Sequence, residues 1–208
     1  MLNFKEYGII TELLERVFVE KGMIIVLNGV SSAGKSTLAK ELTKLLPDFF
    51  DFSVDDYDLV IEKMEDREND RLIPIETEYY YYKNVAMFSD RGVNLILDQI
   101  LHDPITLQNF YETLKSYPIL LVGVHCPAEE LKRREELRGD RQIGQAISQL
   151  NFVHSQEFYD IEVNTYTHSM VECAREIVDC LESNTALIGF EKSLKQYESS
   201  KIALNNNC

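Results

Sequence analysis

The sequence is poor in the residues that mark several large classes of protein. Its 208 residues include no tryptophan, five prolines and four cysteines, and no two cysteines form a C-x-x-C pair. No histidine stands at metal-ligand spacing from a cysteine either, so neither a zinc site nor a disulfide framework is expected. Free thiols are typical of a reducing cytosol, and the expected location is therefore cytoplasmic.

Positive charge is also scarce. Against 35 aspartates and glutamates there are 21 lysines and arginines, which gives a net charge of −14. A field of this sign repels nucleic acid and anionic lipid, so neither is an expected partner. The one basic patch, around residues 132–141, is small and indicates a site for a small anion. Acids interrupt the first 22 residues, so no signal peptide is expected, and no apolar run approaches the roughly 18 residues that span a bilayer.

The order of apolar segments indicates the fold. Five short apolar runs, at 23–28, 49–54, 93–98, 118–126 and 159–165, predict strands. Between and after them, helices are predicted over 35–46, 57–92 with a polar break at EDRENDR, 103–116, 128–138, 141–158 and 168–182. This alternation predicts an α/β fold with a mostly parallel five-stranded sheet covered on both faces. Further helices are predicted over 3–20 and 187–201, and residues 1–208 are expected to form one domain with a core at 23–182.

The segment NGVSSAGKST, residues 28–37, has the spacing of a phosphate-binding loop, G-x-x-x-x-G-K-[ST]. It stands between a predicted strand and a predicted helix, where glycines let successive backbone N–H groups turn toward one anion and the helix adds its positive N-terminal dipole. A nucleoside triphosphate is therefore the expected ligand, with Lys35 on its β and γ phosphates and Ser36 on Mg²⁺. The candidate nucleotide-binding residues are Gly29, Val30, Ser31, Ser32, Ala33, Gly34, Lys35, Ser36 and Thr37.

Acids follow two of the predicted strands, and the carboxyl ends of parallel strands are where an α/β sheet binds ligands. Asp98 ends the third strand and is the candidate second ligand of Mg²⁺. Asp55 and Asp56 end the second strand, where an acid could take the proton of an acceptor hydroxyl. Either aspartate could instead cap the following helix, because Asp is a favoured N-cap residue.

The basic patch has helical spacing. Arg134, Arg138 and Arg141 fall at i, i+4 and i+7 and would converge on a transferring phosphoryl group, as a lid over the phosphates. The alternative is surface ion pairing of Glu130 with Arg134 and Glu129 with Arg133, which we prefer for Arg133 and for Lys132.

Two aromatic features are harder to assign. The four tyrosines 79–82 cannot share one helix face, so some are expected in the core, and one or two could line an acceptor pocket. His102 and His154 are isolated histidines, for which a structural role is preferred over a catalytic one.

Taken together, these motifs resemble the chloramphenicol phosphotransferase-like family of P-loop kinases. The similarity lies in LNGVSSAGKST, FSVDD, LILDQILHD, VGVHCPAEELKRREELRGDRQIGQA and VHSQEFYDIEVNTYTHSMVECA, and covers about 23–60 and 93–182. The resemblance implies transfer of the γ-phosphate of ATP to a hydroxyl of a small molecule, as in resistance to chloramphenicol. It also implies that Asp55 is the general base.

The sequence departs from the family pattern at Gln99, where a second acid is expected, and over 60–92, where the acceptor pocket should be formed. Other hypotheses remain open: a kinase of a nucleotide or of a protein, and a regulatory module that binds ATP without transferring phosphate. Self-association into a homo-oligomer is left open as well.

Overall fold

The computed structural model describes residues 19–138, 144–155, 157–183 and 185–205. Within these residues, five strands form one sheet in the order β2-β3-β1-β4-β5, and every neighbouring pair is parallel. The strands are β1 (Ile24–Asn28), β2 (Phe49–Ser53), β3 (Asn94–Gln99), β4 (Ile119–His125) and β5 (Ile161–Asn164). The predicted α/β class is confirmed, and each strand starts and ends within two residues of its predicted bounds.

Helices cover both faces of the sheet. They are α1 (Lys35–Leu45), α2 (Val54–Glu62), α3 (Thr77–Ser89), α4 (Pro104–Leu114), α5 (Ala128–Arg138), α6 (Gln145–Gln149), α7 (Met170–Glu182) and α8 (Gly189–Asn205). The polar EDRENDR break separates α2 from α3 and folds into a short turn closed by an antiparallel bridge between Asp66 and Arg71. No helix in the described part of the chain combines the length and apolar character needed to cross a bilayer.

One helix prediction is wrong, and another falls outside the described residues. The helix predicted over 141–158 is observed only as α6, and residues 150–155 form turns instead. The reason is tertiary: His154 adopts a left-handed φ of 71° that no α-helix accepts, and its ring packs against His125 with 4.1 Å between centroids. The helix predicted over 3–20 lies almost wholly outside the described residues.

The central strand explains why the sheet is stable. All five residues of β1 are buried, and its four apolar residues alternate between two apolar cores. Ile25 and Leu27 face one core with α1 and α7, whereas Ile24 and Val26 face the other with α3 and α4. Burying one such side chain contributes about 1.5–3 kcal/mol, so the position of β1 is strongly fixed. Helix α8 joins the second core through Phe190, which is 7% exposed.

The strand register brings the carboxyl ends of the sheet together. Asn28, the last residue of β1, lies opposite Gln99 of β3 and Gly123 of β4. On the other side of β3, Ser53 of β2 lies opposite Asp98. The loops that follow these strands therefore meet at one edge, where the phosphate loop also begins.

Candidate active site

The phosphate loop (residues 28–37) leaves β1 and enters α1 along a path that requires both of its glycines. Gly34 has a φ of +99°, which L side chains rarely adopt, and a Cβ on it would lie 2.7 Å from Met170 Cε. A Cβ on Gly29 would lie 2.5 Å from the carbonyl oxygen of Val124. Gly34 is thus required for backbone conformation and Gly29 for space.

Lys35, Ser36 and Asp98 form one polar group beneath this loop. Lys35 Nζ is buried, donates to the Val30 carbonyl at 3.0 Å and lies 3.4 Å from Asp98 Oδ1. The Ser36 hydroxyl donates to the other carboxylate oxygen, Asp98 Oδ2, at 2.5 Å. The structure therefore brings together the three residues that the sequence placed on the phosphates and the metal.

The chemistry of the loop fits a nucleoside triphosphate with Mg²⁺. Ser32 Oγ is buried without a hydrogen-bond partner, on a residue with a φ of +61°. A buried hydroxyl without a partner costs about 1–3 kcal/mol, and a phosphate oxygen would remove that cost. The first turn of α1 leaves backbone N–H groups outside the helical ladder, an arrangement that binds phosphate. The oxygens of Ser36 and Asp98 are ligands that Mg²⁺ prefers.

Helix α5 holds the phosphate loop through Arg134. The guanidinium of Arg134 donates to the loop carbonyls of Ser32 and Ala33, both at 3.3 Å. It also donates to Thr165, to Oγ1 at 3.1 Å and to the carbonyl at 3.0 Å, and to Glu130 Oε1 at 2.8 Å. Arg134 lines the cleft as expected, but most of its donors are bonded to the protein itself.

The other basic side chains of this region differ in their surroundings. Arg133 donates twice to Glu130, at 2.7 Å each, so its ion pair forms with Glu130 rather than with Glu129. The two arginines lower the pKa of the Glu130 carboxyl to about 2 by hydrogen bonding and charge. Arg138 ends α5 and lines the cleft. Arg141 lies outside the described residues, so its place in the site stays a prediction.

Asp55 and Asp56 occupy the first turn of α2, and only Asp55 lines the cleft. Ser53, not either aspartate, stands at the N-cap position of the helix. The capping hypothesis is therefore wrong for both. Asp55 follows β2, on one side of β1 in the sheet, whereas α5 follows β4, on the other side.

These parts surround a single open cleft of about 750 Å³. Its lining residues come from the phosphate loop, α1, α2, α3, the end of β3 and the loop after it, α5 and the start of α7: Ser31, Ser32, Gly34, Lys35, Ser36, Thr37, Lys40, Val54, Asp55, Glu78, Asp98, Gln99, Ile100, His102, Glu130, Arg133, Arg134, Leu137, Arg138 and Met170. A cleft of this volume is in the range of small-molecule sites.

Sequence reasoning missed several residues that hold the phosphate loop or the start of α6. Thr165 Oγ1 donates to the Ala33 carbonyl at 2.6 Å, and Gln149 Oε1 accepts from the Ser31 amide at 2.7 Å. Glu135, fully buried in α5, accepts from the amides of Gly144 and Ala146 at 2.8 and 2.7 Å. Thr165 follows β5, so the rule that sites form at the ends of strands could have found it. No sequence signal marks Gln149 or Glu135.

Glu78 and Gln99 also line the cleft, whereas the tyrosine run does not. Tyr81 and Tyr82 are fully buried in the second core, and neither they nor Tyr79 and Tyr80 appear among the lining residues. The structure thus places none of the four tyrosines in the lining of this cleft, and their proposed role at an acceptor stays a prediction.

The histidines have distinct surroundings. His102 lines the cleft, and its Nδ1 lies 2.9 Å from the Ile100 carbonyl oxygen. His154 Nδ1 lies 2.6 Å from the Tyr159 hydroxyl, which accepts from Nδ2 of Asn28 at 2.8 Å. Burial, with smaller effects of the charges on His125 and Lys35, lowers the pKa of His154 to about 4. A neutral imidazole that accepts the Tyr159 proton agrees with this direction and supports the start of the phosphate loop.

Comparisons with known proteins agree with the geometry. Two proteins of Mycobacterium tuberculosis, from strains CDC 1551 and H37Rv, carry the provisional name O-phosphotransferase. Each is 26% identical to this chain over 204 residues, covering 86% of this chain and 91% of its own length.

Solved structures share the fold at lower identity. The Mycobacterium tuberculosis APS kinase, in complex with AMPPNP and APS, has a TM-score of 0.60 and 16% identity, covering 79% of this chain and all of its own. The tunicamycin resistance protein of Deinococcus radiodurans has a TM-score of 0.60, 18% identity and coverage of 80% and 99%. Shikimate kinase of Acinetobacter baumannii, in complex with shikimate, has a TM-score of 0.55, 18% identity and coverage of 80% and 96%.

A family model adds the decisive match. The model described as chloramphenicol phosphotransferase-like protein matches residues 22–182, which include every strand and helices α1 to α7. With the phosphate loop, the cleft and this match on one chain, the protein belongs to the chloramphenicol phosphotransferase-like family and is a P-loop kinase.

Proposed function

We propose that this kinase transfers the γ-phosphoryl group of ATP to a hydroxyl of a small molecule. The observation that carries the proposal is the cleft itself, which places Lys35, Asp98 and Asp55 on one continuous surface. Such a surface can hold a nucleotide and an acceptor side by side, and positioning is most of what phosphoryl transfer requires from a protein.

The nucleotide half of the cleft is the phosphate loop and α5. Lys35 would neutralise the β and γ phosphates, and Ser36 and Asp98 would hold Mg²⁺ together with phosphate oxygens and water. Mg²⁺ would supply charge neutralisation on the phosphates when bound. Arg138, and Arg141 in the segment outside the described residues, would stabilise the charge that develops on the transferring group. Arg134 would keep the loop in its binding shape and contribute less directly.

Asp55 would act on the acceptor. Its carboxylate takes the proton of the acceptor hydroxyl as the acceptor oxygen forms a bond to the γ-phosphorus. The bond from that phosphorus to the β–γ bridging oxygen breaks, and ADP leaves with the electron pair. The product is a phosphate monoester, and the proton on Asp55 passes to solvent.

The proposal is tested by an ATP-consumption screen across hydroxyl compounds, followed by mass spectrometry of each product. The panel contains antibiotics including chloramphenicol, sugars, nucleosides and hydroxyl-bearing peptides. The expected result is one acceptor class that gains 80 Da with stoichiometric ADP, and no such product with Lys35→Ala. Tight ATP binding without a phosphorylated product from any member would instead favour a regulatory module.

A further inference from the structure

The two walls of the cleft carry opposite charge. On the nucleotide side stand Lys35 and the arginines of α5, namely Arg133, Arg134 and Arg138. On the other side, formed by the starts of α2 and α3 and the end of β3, the acidic lining residues are Asp55, Glu78 and Asp98, of which Asp98 already contacts Lys35 and Ser36. An acceptor that binds between them therefore meets cations on its reacting side and carboxylates on the other.

Glu78 is the less expected of these carboxylates. It stands in the first turn of α3, partly buried, and its strongest charged neighbours are the carboxylates of Asp103, Glu76 and Asp58. Burial first, and then the charges of these neighbours, raise the pKa of the Glu78 carboxyl. Its neighbours already have partners: Asp58 accepts from Thr77 at 2.8 Å, and Asp103 caps α4. The charged form of Glu78 is therefore disfavoured at its place in the wall of the cleft.

Gln99 is a second, independent polar group in the same wall. It is 2% exposed, and its Oε1 accepts from the Tyr82 hydroxyl at 2.8 Å, which fixes the orientation of the amide. Its Nε2 is buried without a hydrogen-bond partner. The Tyr81 hydroxyl lies nearby and donates its own proton to the Phe52 carbonyl oxygen, and it makes no hydrogen bond of acceptable geometry with Nε2. A buried donor left unpaired is costly, and an acceptor oxygen of a ligand would relieve that cost.

The positive groups near this wall do not offset its acids. Lys40 lines the cleft from α1, and its charge acts on Asp51. His102 lies 3.6 Å from Asp103, and its Nδ1 is turned to the Ile100 carbonyl. In the described part of the cleft, the acceptor wall therefore lacks an arginine that could bind a carboxylate, sulfate or phosphate group of an acceptor.

We propose that the acceptor is an amino-alcohol: a hydroxyl compound that also carries a protonated amine, which the Glu78 carboxylate binds while the Gln99 amide donates to a neighbouring oxygen. This inference rests on the kinase function proposed above and specifies its substrate class. An ammonium group beside Glu78 pairs with a carboxylate whose charged neighbours are other carboxylates and which otherwise accepts from its own backbone N–H. An anionic acceptor would add a further like charge to the same wall, and an uncharged one would bring no counter-charge to Glu78.

The test measures binding apart from catalysis. Calorimetry is done on the full chain with Mg²⁺ and AMPPNP, using matched compounds that differ in charge: D-glucosamine, N-acetyl-D-glucosamine and D-gluconate, and kanamycin with its fully N-acetylated form. We expect each amine to bind about 10- to 100-fold more tightly than its amide or acid counterpart, the range of one charge-assisted contact. Glu78→Gln should remove that preference, whereas Glu191→Gln, which deletes an exposed charge on α8, should leave it unchanged.

The outcomes separate this inference from the kinase function. Amine preference that disappears in Glu78→Gln, with an unchanged melting temperature and AMPPNP affinity, supports the inference. Equal binding of the matched members, tighter binding of the amide or acid, or no binding by any member overturns it. Labelled phosphate from ATP is then followed on the same compounds and on chloramphenicol. Selective binding without transfer refutes only the proposed phosphoryl transfer. Transfer to an uncharged hydroxyl compound such as chloramphenicol refutes only the proposal that the acceptor carries an amine.

Discussion

Replacing Asp55 by asparagine, with Asp56→Asn as its matched control, isolates the chemistry of the site from the stability of the helix. Both aspartates lie in the first turn of α2, and only Asp55 lines the cleft. Neither is the N-cap residue, a position taken by Ser53, so neither substitution removes a cap. Each replacement keeps the size of the side chain and removes one negative charge near the helix N-terminus.

The two variants should lose similar stability and very different activity. A carboxylate in the first turn of a helix contributes about 0.3–1 kcal/mol through the helix dipole, and this term is common to both. General-base help is typically worth about 10²- to 10⁴-fold in rate, equivalent to about 3–5 kcal/mol of barrier. We therefore expect kcat to fall by about that factor in Asp55→Asn and by less than about threefold in Asp56→Asn.

The assay uses the acceptor found by the screen. Initial rates of ADP formation give kcat and the KM values for ATP and acceptor, and a thermal melt of each variant gives its stability. Because Asp55 belongs to α2 and not to the phosphate loop, the KM for ATP should stay close to the wild-type value in both variants. A difference in kcat between variants of equal melting temperature is then caused by the loss of the Asp55 carboxylate from the cleft.

Two results would refute the reasoning. If Asp56→Asn were the inactive variant, the base would be Asp56 and the side chains would be arranged differently from the structure. If Asp55→Asn remained active and was only less stable, Asp55 would serve the helix and not the acceptor. The proposed transfer would then need another group to take the hydroxyl proton.

Four further predictions concern the phosphates, the metal, the arginines and pH. Lys35→Ala should reduce turnover by at least about 100-fold with a melting temperature within a few degrees of wild type, and near-normal turnover contradicts its role. ATP should raise the melting temperature more with Mg²⁺ than with EDTA, and Asp98→Asn should abolish the difference; equal stabilisation of the wild type removes Asp98 from the metal site. Arg138→Ala should lower kcat more than ATP affinity, whereas a pure affinity loss would make Arg138 a ground-state clamp. Because the pKa of His154 is lowered from about 6.5 to about 4 in the folded state, the unfolded chain takes up that proton first as the pH falls. Stability should therefore be lost between about pH 6.5 and 4, by about 1–2 kcal/mol after allowance for partial exposure, and His154→Asn, which tolerates the positive φ, should flatten that slope in pH-dependent melts.

The fold was predictable from the sequence because local and global signals agree in it. The five apolar runs are the five strands, and the glycine spacing of residues 29–34 is satisfied by a left-handed Gly34 and by the close approach of Gly29 to Val124. The position of Asp98 in the cleft was also predictable, because an acid near the carboxyl end of a central strand lies at the edge of the sheet where ligands bind. The family match confirms the resemblance drawn from these motifs.

What the sequence did not predict depends on contacts between distant residues. The helix predicted through residues 150–158 is interrupted because His154 packs on His125 and binds Tyr159, and such contacts outweigh helix propensity. The tyrosine run was ambiguous because four adjacent aromatics face all sides of a helix, and only packing decides which are buried. Glu78 gave no signal, because a single acid in a first turn usually faces water.

The phosphate loop is held by residues that lie more than 100 positions away from it in the sequence. The loop is held by side chains from three separate elements: Arg134 of α5, Gln149 of α6 and Thr165 at the end of β5. None of these is part of the G-x-x-x-x-G-K-[ST] motif, yet each bonds to its backbone. A loop that such bonds hold in one conformation loses little entropy on binding phosphate and needs little rearrangement as charge develops, which is the condition for strong electrostatic catalysis. Replacing any of the three should therefore weaken transfer, although none of these substitutions removes a group proposed to contact a phosphate.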